Sequence, residues 1–106
     1  MDVVAIYEQV EKIMGVRAPM PAITIGESNG YVLDRVTVRF DVCVEMNLAH
    51  EFSHHVAVHS GMLDGVRNQD VMATLEKIAL DVEHEYPNYM PNCETKRRPR
   101  KWFVRY

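Results

Sequence analysis

Between Val42 and His59 the chain runs without a glycine or a proline, and apolar residues occupy most faces of the helix this stretch would form. Such a helix has no polar side to turn toward water, so it must be covered nearly all round. In a chain of 106 residues, enough for one modest core and too few for two, that helix has to be the central element. Its last ten residues, His50 to His59, nevertheless read HEFSHHVAVH, four histidines and a glutamate among apolar neighbours.

His50 and His54 are four residues apart, so their side chains stand one turn above the other on one face and both imidazoles reach one point in space. Glu51 is displaced by about a quarter turn toward the same side. The pattern is HExxH: two nitrogen ligands for zinc, and a carboxylate that takes a proton from a metal-bound water. Buried polar groups cost free energy unless partnered, so a chance occurrence on an apolar helix is expensive. His55 points away from this face and is expected at the surface or behind a ligand, and His59 and His84 are expected to be solvated.

Zinc needs a third protein ligand. The metzincin solution, a histidine six residues after the second with glycine midway, is absent, since those positions are Ser60 and Ala57. On a wheel of about 100° per residue starting at Val71, the apolar stripe of the next helix centres near roughly 50°, with Glu76 near roughly 140° and Glu83 near roughly 120°. Both border the buried face. Glu76 is the first choice, because Leu80 beyond it implies cover on that side and Ala79 leaves room beside it. Glu83 is the second choice, and Asp81 and Glu85 lie on other faces.

The surrounding segments predict an α+β fold. Asp2 to Met14 carries Val3, Val4, Tyr7, Val10, Ile13 and Met14 at helical spacing and ends near Gly15. Pro19 and Pro21 enforce extended backbone. Ala22–Gly26 reads as a strand, Asn29-Gly30 as a tight turn leading to a second at Tyr31–Leu33, and the alternation of Val36, Val38 and Phe40 as a third. Ser60-Gly61 and Asp64-Gly65 end the central helix, and Asp70 is placed to cap a helix from Val71 to about Glu85 that stops before Pro87.

A composition of 47% hydrophobic and 25% charged residues argues against disorder, and no apolar run is long enough to cross a bilayer. The first residues carry Asp and Glu, not the basic start of a signal peptide. Two cysteines are too few for a disulfide scaffold, so reduced thiols in a cytoplasm are expected, with Cys43 packed as a small hydrophobe and Cys93 in a loop, where its thiolate is chemically suited to zinc. Charge is uneven: Glu94 to Tyr106 holds six basic residues and one acid, a net +5, against −8 on the first 93 residues. Trp102, Phe103, Val104 and Tyr106 make this tail too apolar to be left freely in water.

HEFSH on a buried helix, followed by a loop and a helix carrying Glu76-Lys77-Ile78-Ala79, resembles a gluzincin metallopeptidase reduced to its smallest form, as in the minigluzincins. The resemblance implies a zincin-like domain over residues 1–93, His50, His54 and a helix glutamate as zinc ligands, and Glu51 as general base and acid. It further implies an extended peptide substrate held along a strand, and latency through a blocking tail at 94–106, supplied by the chain itself or by the partner in a homodimer. In several gluzincin groups an acidic residue directly follows the glutamate segment; here Leu80 does, and Asp81 comes one position late. The expected activity is peptide-bond hydrolysis, with Tyr86, Tyr89 and His84 as candidates to stabilise the oxyanion. The rival expectation is a non-enzymatic nucleic-acid module working through the basic, aromatic tail. A peptidase recruited to nucleic acid, as in the SprT-like group, would need a third histidine that is not well placed here.

Overall fold

The N-terminal helix α1 spans Val3–Met14 in the computed structural model, which describes residues 1–96. The Asp2 carboxylate accepts the Ala5 N–H at 3.0 Å, and Gly15 closes the other end in the left-handed region at φ 74°, where a side chain would be strained. Ile6, Tyr7 and Val10 are the face it buries. After α1 come β1 (Ala22–Ile25), β2 (Gly30–Val32), β3 (Arg35–Val38), α2 (Val44–His59), a 3-10 turn (Asn68–Asp70), α3 (Val71–Glu85) and α4 (Pro91–Lys96). The α+β expectation and its order of elements are met. Of the tail expected at 94–106, residues 97–106 lie outside the described residues, while α4 runs across the expected boundary at residue 93.

The sheet departs from the expected connectivity. Its strand order is β1-β3-β2: β3 lies in the middle, parallel to β1 and antiparallel to β2. Asn29-Gly30 therefore does not join paired neighbours. Instead the Asn29 side chain accepts the Arg39 N–H at 2.8 Å, tying the start of β2 to the chain beyond β3. The tight turn is Leu33-Asp34, between β2 and β3, where Asp34 sits at φ 65°. Aspartate is one of the few side chains that tolerate this region. Phe40 lies past the end of β3 and is exposed.

Tyr31, Val36 and Val38 of the sheet share one core with Ile6, Tyr7 and Val10 of α1, Phe52 and Val56 of α2, and Leu75 and Val82 of α3. α2 is buried from Met46 to Ala57, as a central helix should be. On α3 the buried face is Val71, Leu75, Ala79, Val82 and Glu83, with Ile78 only half-covered. Asp70 stands at the N-cap of α3 but makes no side-chain cap bond; its carboxylate instead meets Arg67 Nε at 3.3 Å.

The cysteine expectation is overturned. Cys43, at the N-cap of α2, and Cys93, in α4, form a disulfide. Burial around α2 brings residues 50 apart in sequence to a Cα separation of 5.6 Å, which spacing in the chain does not signal. The bond removes the reduced thiols on which the cytoplasmic expectation rested, and leaves Cys93 no thiolate for zinc. Among the described residues no helix is long and apolar enough to cross a membrane. Closing a loop of this length constrains the unfolded chain by on the order of 4 kcal/mol. A thiol reductant is expected to lower Tm in the wild type and to leave unchanged a Cys43→Ser/Cys93→Ser variant whose Tm is already low; calorimetry checks both.

His55, expected at the surface or behind a ligand, is buried, which excludes the first of those two places. Tyr31 Oη lies 2.9 Å from its Nδ1, and the Pro19 carbonyl 2.6 Å from its Nε2. A carbonyl only accepts, so Nε2 carries the hydrogen and Nδ1 takes the Tyr31 hydroxyl hydrogen. Burial pushes the His55 pKa down, against the Pro19 hydrogen bond, which raises it. The fold thus favours the neutral ring, while the unfolded chain takes up a proton near the ordinary value of about 6.5. This contribution is fully present above that value and is lost as pH falls below it. In a thermal melt series from pH 8 to pH 5, His55→Gln is expected to lose less Tm on acidification than the wild type.

Candidate metal and catalytic site

The site is built on α2, which is buried from Met46 to Ala57 and carries polar side chains within that buried length. His50, Glu51 and His54 are all buried, at 5%, 3% and 0% exposure. One donor atom from each lies within 4.8 Å of the others. The His50 and His54 rings stand 4.8 Å apart, nearly edge to face at 69°. Glu51 Oε1 is 3.4 Å from His54 Nδ1. The one-turn spacing read from the chain therefore does bring both imidazoles and the carboxylate to one buried locus. Ser53 donates from its hydroxyl to the His50 carbonyl at 2.5 Å, so this polar side chain is satisfied within its own helix.

α3 contributes the carboxylates. Glu83 is fully buried, and its Oε2 lies 2.5 Å from His50 Nδ1. A carboxylate accepts, so the hydrogen of this contact sits on Nδ1 and the lone pair of His50 falls on Nε2. A carboxylate behind a histidine in this way fixes the ring and raises its basicity as a ligand. Glu76 lies seven residues earlier, two turns along the same side of α3, and is half-buried. Neither glutamate belongs to the 4.8 Å group of His50, Glu51 and His54. The helical wheel marked Glu83 as a candidate ligand at the edge of the buried stripe; its contact with His50 Nδ1 depends on how α3 packs against α2.

The oxyanion candidates divide. Tyr86 donates its hydroxyl to Glu45 Oε2 at 2.7 Å, and burial followed by that hydrogen bond pushes its pKa up. It is committed to the first turn of α2, where Asn88 also reaches Glu45 at 3.2 Å. His84 is exposed, directly follows Glu83, and has its ring 4.9 Å from that of Tyr89. His59, expected to be solvated, is exposed but meets Asp34 Oδ1 at 2.5 Å.

Two imidazoles with carboxylates at hand form a nitrogen and oxygen donor set of the kind zinc takes, in a setting shielded from water. Against this geometry, comparison with protein-family models, with curated proteins and with solved structures finds no match to the chain.

Proposed function

We propose that the protein is a zinc-dependent metallopeptidase of gluzincin type. The observation that carries the reading is the buried group of His50, Glu51 and His54, with donor atoms from all three within 4.8 Å. In this reading His50 and His54 hold the metal, His50 through Nε2 because Glu83 engages its Nδ1. Glu76 is the third ligand and Glu83 orients His50. A zinc ion held there supplies Lewis acidity, polarising a scissile carbonyl and lowering the pKa of a water from about 15.7 toward about 7.

Glu51 then acts as general base and acid, taking a proton from the attacking water and giving it to the leaving amine. Its burial supports the role, because a carboxylate shielded from bulk water interacts more strongly with charge developing beside it. The substrate is a peptide or protein in extended form, for which an open strand edge of the sheet is the suited surface. β1 and β2 are the two edge strands.

One experiment tests these roles together: metal content by elemental analysis beside cleavage of a quenched fluorescent peptide mixture. Glu51→Gln is expected to keep the metal and to lose about 10²–10⁴-fold in hydrolysis. His54→Ala is expected to lose both, and Glu83→Gln to bind metal about 10–100-fold more weakly. Hydrolysis retained in Glu51→Gln contradicts the mechanism.

The tail from Glu94 to Tyr106, with its net +5, carries the rest of the proposal, latency, and also the rival reading of a nucleic-acid module. Truncation after Lys96 separates them. A rise in peptidase activity is expected for a latent enzyme, whereas loss of salt-sensitive nucleic-acid binding would favour the rival.

A further inference from the structure

α2 carries a second histidine pair at the same one-turn spacing, His55 and His59. Five residues separate it from the pair His50 and His54, so it lies roughly 140° further round the helix, on a different face. The two rings are 4.4 Å apart and tilted by 40°. Opposite them the β2–β3 turn presents Asp34, whose Oδ1 lies 2.5 Å from His59 Nε2.

His55 is pre-oriented in the manner of a metal ligand. Its Nε2–H is spent on the Pro19 carbonyl at 2.6 Å, which holds the ring and leaves the lone pair on Nδ1. That nitrogen accepts from the Tyr31 hydroxyl, which in turn accepts the Asp34 backbone N–H at 3.2 Å. One donor atom from each of Asp34, His55 and His59 lies within 4.8 Å of the other two. Donors about 2 Å from an ion stand about 3.3 Å from one another in a tetrahedron, so a small inward movement closes the set. Asp34 and His59 can make that movement, with side chains 64% and 30% exposed. His55, fully buried, provides the fixed point.

We infer that Asp34, His55 and His59 form a second divalent-metal site, separate from the proposed catalytic one. Two imidazoles and one carboxylate select a borderline transition-metal ion such as Zn²⁺ or Ni²⁺ over Mg²⁺ or Ca²⁺, which prefer all-oxygen shells. Binding exchanges the Tyr31 hydrogen bond to His55 Nδ1 for the metal bond and replaces the Asp34–His59 contact with two metal bonds. The ion clamps the β2–β3 turn to the last turn of α2, leaving its outer positions to water.

The test uses the full chain and two substitutions at exposed positions, His59→Ala and Asp34→Asn, the second keeping a side chain that tolerates the left-handed backbone. Each protein is stripped with a chelator and refilled with Zn²⁺ or Ni²⁺ alone, and bound metal is counted by elemental analysis and titration calorimetry. Each variant is expected to hold one equivalent fewer than wild type, or to bind that equivalent at least about ten-fold more weakly. Added Ni²⁺ is also expected to raise the Tm of wild type more than that of His59→Ala, each measured from its own metal-free value. A plain ion pair between Asp34 and His59 would lower the metal-free Tm on substitution and leave that increment alone. Equal stoichiometry and affinity in the three proteins overturns the proposal, as does an equivalent taken by Mg²⁺ or Ca²⁺ as readily as by Zn²⁺. The equivalent lost in His54→Ala reports on the catalytic site, so either site can fail without the other.

Discussion

Every polar side chain on the buried length of α2 has to be met by something other than water, and that requirement shapes the molecule as much as its apolar packing does. Asn47, His50, Glu51, Ser53, His54 and His55 are all buried on this helix. Leaving such groups unpartnered in a medium of low dielectric costs several kcal/mol for each ionised one and about 1–3 kcal/mol for each neutral one. The rest of the fold answers them in turn: α3 brings Glu83 to His50, β2 brings Tyr31 to His55, and the Pro19 carbonyl meets the other His55 nitrogen. The same proline segment is bound from behind, since Tyr7 donates to the Ala18 carbonyl at 2.7 Å and Glu11 accepts the Ala18 N–H at 2.9 Å. Burial accordingly raises the Tyr7 pKa to about 12, so the phenol stays a donor throughout the neutral range.

α2 is also held at both ends. At its start the Cys43–Cys93 bond and the Glu45 contacts to Tyr86 and Asn88 fasten the segment after α3. At its finish Asp34 of the β2–β3 turn engages His59 in the last turn of the helix. A ligand set is useful only if its supports hold it to within about 0.5 Å, and a helix fixed at both ends and packed along its length is that kind of support. Two metal-competent faces on one helix follow from two histidine pairs set five residues apart. One face is closed by α3 and the other by a surface turn.

Legibility in the chain followed the range of the interaction. α1 could be read almost to the residue, because the apolar spacing and the Gly15 stop act within a turn or two; the Asp2 cap emerges with the structure. The pair His50 and His54 was equally plain, since i,i+4 geometry is a property of any helix. The partner of His50 was only half visible: the wheel put Glu83 at the edge of the buried stripe, but its engagement with Nδ1 depends on how α3 is rotated against α2. For His55 the surface and a place behind a ligand stayed equally open, because its direction from the first pair says nothing about what stands opposite. The tight turn was misplaced for a similar reason. Asn29-Gly30 has the composition of a hairpin turn, yet the Asn29 side chain serves Arg39 ten residues away.

The amino-acid sequence by itself determined the elements that rest on contacts a few residues apart: the α1 boundaries, the buried character of α2, the apolar stripe of α3 and the HExxH spacing. Tertiary structure alone decided the β1-β3-β2 order, the Cys43–Cys93 bond, the Glu83 support behind His50, and the meeting of Asp34 with His59. The physical reason is common to all four. Each depends on where two elements far apart in the chain come to rest, and that is settled by the joint burial of their apolar faces around α2, a sum over many weak contacts that no local pattern of residues encodes.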